Sequence, residues 1–251
     1  MHQLNFKYGS KPILQDISFA LSSGQIIGIL GPNGSGKTSL LLCLNGFLKP
    51  ISGQILVQGC PLSAITSSKR ARIISFTQQN LSLPYLTTFN YLLTGKLPYL
   101  NFLSSYSPED KQQVIELAKI HNLTAFLEKL MPLLSGGEQR KILFTKTLIQ
   151  NTLIYLFDEI TSNLDPKIIK ELLGTIQQLA NQGKGIILSL HDLNLAASIS
   201  NYFIFLKKGR ILAQGSPSQV FTQEILEEVY ETKFIVSTHP QKKHPIAFPI
   251  L

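Results

Sequence analysis

Apolar and polar residues alternate near the start of the chain, with Leu4, Phe6 and Tyr8 and then Ile17, Phe19 and Leu21 at every second position. A period of two is that of half-buried strands, and Gly9-Ser10 breaks it as a turn. Ser22-Ser23-Gly24 marks a second turn. The unbroken run from Ile26 to Leu30 that follows reads as a strand buried on both faces. The pattern then predicts a helix from Lys37 to about Asn45, with Gly46 placed to end it. Ile55–Val57 and Ile73–Phe76 read as further strands.

After Gln79 the patterning changes. From Leu81 to Gln150 it is helical with little strand signal. Ser107-Pro108-Glu109-Asp110 is a helix start: a capping serine, proline at the first helical position and two acids in the first turn. Strand signals return at Leu153–Phe157 and Gly185–Leu190, and Asp165-Pro166 opens a helix between them. Tyr202–Leu206 and Arg210–Ala213 flank Lys208-Gly209 as a hairpin, and Ser216-Pro217 begins a short helical tail. The expected architecture is an α/β core interrupted by a helical insertion at about residues 81–150.

Composition changes this picture little. The 251 residues are 44% hydrophobic and 15% charged, an ordinary globular composition with few charges. The longest apolar runs fit buried strands and fall short of a bilayer span. The first residues, MHQLNFKYGS, lack the apolar centre of a signal peptide, so no export is expected. Cys43 and Cys60 provide neither a disulfide framework nor a metal cluster, which favours a reducing compartment. The net charge of +8 is spread over dispersed lysines and arginines, which argues against a nucleic-acid stripe.

Two patterns carry chemistry. Gly31-Pro32-Asn33-Gly34-Ser35-Gly36-Lys37-Thr38 follows a buried strand and opens a helix, the context that GxxxxGK[ST] requires. Its glycines let the backbone curl so that N–H groups point at phosphate oxygens, and the helix start adds positive potential. Lys37 can reach the terminal phosphates, and the Thr38 hydroxyl can join the shell of a magnesium ion. Leu153–Glu159 is an apolar strand ending in two acids, Asp158 and Glu159. At the carboxyl edge of a parallel sheet, Asp158 can organise magnesium through water, and Glu159 can act as base toward the water attacking the γ-phosphate. A third pattern, Leu134-Ser135-Gly136-Gly137-Glu138, opens a helix; taken alone it is equally a flexible capped turn.

The three patterns together, in this order, resemble the ATP-binding cassette (ABC) family from end to end of the chain. LSGGE is similar to the family's signature motif, Ser162 to Asp165 to its D-loop, and His191 in LSLHDLNLA to its switch histidine. Gln79 in ISFTQQ matches the Q-loop glutamine, and Tyr8 resembles the aromatic that stacks on adenine. The resemblance implies a single ABC-type ATP-binding domain over residues 1–251: a P-loop NTPase (RecA-like) α/β core with an N-terminal antiparallel β subdomain and the helical subdomain inserted at about 81–150. It implies ATP and Mg²⁺ as ligands, with Thr38, Gln79 and Asp158 at the metal, and a head-to-tail dimer with an identical or similar ATPase subunit. In that dimer Ser135, Gly136 and Gly137 serve the partner's nucleotide. His191 holds the attacking water with Glu159, and Gln79 senses the nucleotide. Ile160, Lys141 and Lys146 depart from family habit (proline, arginine and arginine), with local packing changes expected and no loss of activity.

Within the family, HDLNLA, the segment TTFNYLLTGKLPYL and the tail from Glu224 to Pro249 are similar to ATPases of importers for iron–siderophore complexes, haem and cobalamin. That implies a separate integral membrane permease, indirectly a solute-binding protein, no nucleic acid, and a place on the cytoplasmic face of the inner membrane. Manganese and zinc importers, and soluble cassettes of cofactor assembly, are the alternatives.

Overall fold

The computed structural model describes residues 1–78, 83–101, 104–162 and 164–250. Gln79 and Asn163 of the expected site lie outside them, as does the first part of the expected insertion.

The alternating N-terminus forms an antiparallel pair, β1 (His2–Tyr8) and β2 (Lys11–Ile17). Strand β2 stops at Ile17 rather than reaching Phe19 and Leu21, after Asp16 takes a left-handed backbone (φ 52°). The buried run becomes β3 (Ile26–Leu30), and α1 (Lys37–Asn45) follows, capped by Gly46 at φ 75°. Of the strand expected at Ile55–Val57 only Leu56–Val57 forms one, the two-residue β5, which follows β4 (Ser52–Gln54) and turns back into β6 (Cys60–Pro61). Ile73 belongs to α2 (Ser67–Ile73), so the expected strand begins one residue later as β7 (Ile74–Thr77).

Among the described residues, 83–150 carry helices α3 (Thr88–Leu93), α4 (Pro108–Ile120) and α5 (Gly136–Gln150) and one isolated bridge, Thr87 to Leu130. They share an apolar cluster that includes Leu92, Val114, Met131 and Ile142, each fully buried. The core resumes with β8 (Ile154–Asp158), α6 (Pro166–Asn181), β9 (Gly185–Ser189) and α7 (Leu193–Ile199). It closes with the expected hairpin, β10 (Tyr202–Lys207) and β11 (Arg210–Gly215). The tail is more than helical: α8 (Pro217–Val220) and α9 (Gln223–Tyr230) lead into a second hairpin, β12 (Phe234–Thr238) with β13 (Pro245–Pro249).

The main sheet runs β11-β10-β3-β9-β8-β7, parallel except for the edge strand β11. Its central strands are apolar on both faces because both are covered. Ile26, Leu30, Tyr155, Phe157, Ile186, Leu188, Phe203 and Phe205 face a cluster closed by α5, α6, α7 and α9. The residues between them, Ile27, Ile29, Leu156, Ile187 and Ile204, face α1 and the small sheet β2-β1-β4. Parallel order brings the carboxyl ends of β3, β9, β8 and β7 to one edge, where phosphate-binding sites of such sheets form.

Candidate nucleotide site

The turn after β3 is a loop whose backbone requires glycine. Gly31, Gly34 and Gly36 have φ of 147°, 77° and 108°. A Cβ on Gly31 would overlap the Leu206 carbonyl oxygen, and one on Gly36 would lie 2.9 Å from Leu14 Cδ2. Lys37, 5% exposed, folds its Nζ across the loop to the carbonyls of Gly31 (2.7 Å) and Pro32 (3.2 Å). Burial lowers its pKa, and the nearby carboxylates of Glu159 and Asp158 oppose that shift. The two neighbouring acids thus offset part of the cost of desolvating the ammonium. Thr38, the second residue of α1, is exposed.

Asp158 ends β8 and is 1% exposed. Its Oδ1 accepts from Ser189 Oγ at the end of β9, while Oδ2 is buried and unpartnered. An orphaned carboxylate oxygen beside a phosphate loop is the donor a hard cation or its water takes up, so these residues fit Mg²⁺. Among the described residues there is no cluster of three or more acids, histidines or cysteines. A cation here would therefore rest largely on phosphate oxygens, as in other phosphate-loop sites.

Glu159 follows in a left-handed backbone (φ 51°), and its N–H donates to Ser189 Oγ at 3.1 Å. The turn swings the carboxylate, 11% exposed, against His191 Nε2. His191 leaves β9 just before α7, which Asp192 caps through the N–H groups of Asn194 (2.8 Å) and Leu195 (2.9 Å). Acid, histidine and lysine thus come from three neighbouring strands. Ser189 was not singled out in the sequence, since a serine in the strand GIILS carries no signal of its own. Arg140 of α5 was also missed; it lines a crevice with Asp158, Glu159 and Gln78, its Nη1 buried without a partner.

Tyr8 lies at the end of the β1–β2 hairpin, 51% exposed, its ring set edge-on to Phe6 at 4.8 Å. Residues of β2 abut the phosphate loop, with Ile13 O 3.3 Å from a Cβ built on Gly36. The tyrosine thus stands half exposed on an element packed against that loop.

Ser135 caps α5 in a closed box. Its N–H donates to Glu138 Oε2 (2.7 Å), and its Oγ accepts from Glu138 N–H (3.4 Å). The Ser135 N–H, and the Ser135 hydroxyl that donates to the same Oε2 at 2.8 Å, hold the Glu138 carboxyl below its usual pKa. Ser135 and Gly136 are exposed, and a Cβ on Gly136 would meet nothing within 4 Å.

The three departures from family habit have local explanations. Ile160 is buried in the core cluster. Lys141 pairs with Glu171 of α6 at 2.9 Å. The Lys146 ammonium lies 5.1 Å from the Tyr91 ring centroid.

A parallel sheet with a glycine loop gripping a lysine, and an acid pair two strands away, defines a P-loop nucleoside triphosphatase. Residues 14–162 match the sequence profile of the ABC transporter family. Two curated relatives extend the match along the chain. The hemin import ATP-binding protein HmuV of Thermobifida fusca is 31% identical over 98% of this chain and 87% of its own length. The ferric enterobactin transport ATP-binding protein FepC of Escherichia coli is 30% identical over 99% and 92%. A solved ABC transporter of metal-chelate type, in an inward-facing conformation, superposes with a TM-score of 0.85 at 25% identity, covering 100% of this chain and 96% of that one. The chain belongs to the ABC transporter family and is an ATP-binding, ATP-hydrolysing cassette.

Proposed function

We propose that this chain is the ATPase subunit of an importer for a metal complex of the iron–siderophore, haem or cobalamin type, working as a dimer beneath a separate membrane permease. The observation that carries the reading is the reach of the likeness. The haemin and ferric enterobactin relatives align over 98% and 99% of the chain, well beyond residues 14–162 that match the family profile. No described helix is long and apolar enough to cross a membrane; in this reading the permease is a separate chain and this subunit sits at the cytoplasmic face of the membrane. Within the helical insertion, the segment TTFNYLLTGKLPYL meets the permease.

In this reading the N–H groups of Gly31 to Thr38 and the Lys37 ammonium bind the β- and γ-phosphates. Tyr8 stacks on the adenine. Thr38, Gln79 and Asp158 would hold Mg²⁺, the last by way of a water, and the ion would supply positive charge against the phosphates. Glu159 takes the proton of the attacking water, and His191, already against that carboxylate, fixes its direction and contacts the γ-phosphate. Ser135, Gly136 and Gly137 close on the nucleotide of the partner subunit. Closure of the pair does the mechanical work, and loss of the γ-phosphate contacts reopens it.

The test is uptake by cells lacking this subunit. Loss of growth on haem or a ferric siderophore as the iron source, restored by the intact gene, is expected. Unchanged iron-complex uptake with defective manganese or zinc uptake overturns the cargo class. Purification with soluble partners only, and no permease, overturns the transport reading in favour of cofactor assembly.

A further inference from the structure

Asn194, the fourth residue of the His191-Asp192-Leu193-Asn194 run, has no part in the site as described. Its side chain is spent on the tail. Asn194 Oδ1 accepts the N–H of Ala247 at 2.7 Å, and Nδ2 donates to the Ala247 carbonyl at 3.1 Å. The amide thus pairs with the backbone of β13 as a short added strand would. It stands in the first turn of α7, whose Asp192 cap follows His191 directly. The histidine that faces Glu159 is therefore tied, through one helical turn, to the C-terminal hairpin.

A second tie reaches the phosphate loop. Tyr230 ends α9 and packs its ring 5.8 Å from Phe234 of β12. Its hydroxyl is buried without a partner. Burial raises its pKa to about 12, a rise that the nearby Gly31 N–H, short of a hydrogen bond, partly offsets. Ser35 Oγ is likewise buried and unpartnered. Tyr230 and Ser35 line one cavity of about 240 Å³ between the loop, the Lys207-Lys208 turn and the end of α9. Lys207 pins that end by an ion pair to Glu231 (2.8 Å) and a bond to the Glu228 carbonyl. Two hydroxyls without partners, one on the tail and one on the loop, line a cavity with room for ordered water that would bridge them.

We infer that the C-terminal segment from Ser216 to Pro249 is a positioning element for the ATP site, holding the phosphate loop through Tyr230 and the His191 turn through Asn194. The inference rests on the reading of Gly31–Thr38 and His191 as nucleotide contacts. It gives the HDLN run a physical partner in the tail. It also separates two effects. Tyr230 acts on the loop that grips phosphate in the ground state, whereas Asn194 acts on a residue needed at the chemical step.

The experiment uses the full chain and three variants, Tyr230→Phe, Asn194→Ala and Asn194→Gln. Melting is followed first, and all assays are run where every variant is fully folded. Affinity for a non-hydrolysable Mg-ATP analogue is measured by calorimetry, and turnover at saturating ATP. Tyr230→Phe keeps the ring and is expected to weaken binding about two- to tenfold, the scale of one or two hydrogen bonds, with turnover at saturation unchanged. Asn194→Ala and Asn194→Gln, the latter displacing the amide by one methylene, are expected to lower turnover about two- to tenfold at unchanged affinity. If the variants melt at lower temperature yet keep both affinity and turnover, the tail is merely structural and the inference fails. If the wild-type chain itself does not bind the analogue, it is the nucleotide-site reading that fails.

Discussion

Glu159 is held in an unusual backbone by groups that are not themselves acids or bases. Its φ of 51° is a conformation L-residues visit at a cost, and the Ser189 hydroxyl and carbonyl at its N–H (3.1 and 3.2 Å) maintain it. The same hydroxyl serves Asp158, so one serine aims both acids. Replacing Glu159 by Gln leaves the shape and those backbone bonds intact and removes only the basic oxygen. Turnover is expected to fall about 10²- to 10⁴-fold, the range a positioned base supplies, with Mg-ATP affinity within a few-fold of wild type. Steady-state phosphate release and calorimetry read the two quantities, and undiminished turnover would remove Glu159 from its role. At this scale the sequence was legible where spacing is rigid, as in Gly31 to Thr38 and Asp158-Glu159. It was silent on Ser189 and Arg140, because a serine inside GIILS or an arginine on α5 acquires meaning only from its neighbours across the sheet edge.

Elements were legible where burial alone dictates them. The apolar runs of β3, β8, β9 and β10 are covered on both faces and admit no other reading. Pieces held mainly by pairing were not. β4 is exposed throughout, β6 is two residues ending in Pro61, and β13 begins and ends with proline, so their own residues announce no strand. One helix end carries a testable charge effect. His121 caps the carboxyl end of α4, 7% exposed and edge-on to Phe144 of α5. Burial lowers its pKa from 6.5, Lys141 adds to the shift and Glu171 opposes it. The unfolded chain then takes up a proton near pH 6.5 that the folded chain resists until lower pH. Stability from this residue is present above 6.5 and is lost as pH falls from there through the folded-state value. The helix-packing carboxylate Glu171 has its pKa lowered from 4.5, so its own loss begins further into acid. Melting temperature is accordingly expected to drop between pH 7.5 and 5, and His121→Gln, neutral throughout, to flatten that drop. An equal drop in the variant would assign the effect to other groups.

For the whole molecule, the telling residue is one that a single chain does not need. Gly136 is the first residue of α5, its φ is not among the positive ones, and a Cβ there would meet nothing within 4 Å. Within one chain alanine is therefore tolerated without strain, and it favours the helix by removing backbone freedom from the unfolded state, roughly 0.4–1 kcal/mol. The Ser135–Glu138 box already satisfies the cap, so no internal hydrogen bond depends on the glycine. A reason for glycine exists if the backbone at this turn must approach a phosphate closely in another subunit. The two accounts predict opposite signs for one substitution. Gly136→Ala is expected to raise the melting temperature of the isolated chain by a few degrees or leave it unchanged. It is also expected to lower ATP turnover at least tenfold, since the added methyl would stand between the helix start and a nucleotide held by the partner subunit. Turnover per chain in the wild type should rise with protein concentration as the pair forms, and in the variant it should stay low at concentrations that saturate the wild type. A variant that is as stable as wild type and equally active would mean that Ser135 to Gly137 face solvent in the working enzyme, and that each chain hydrolyses its ATP alone.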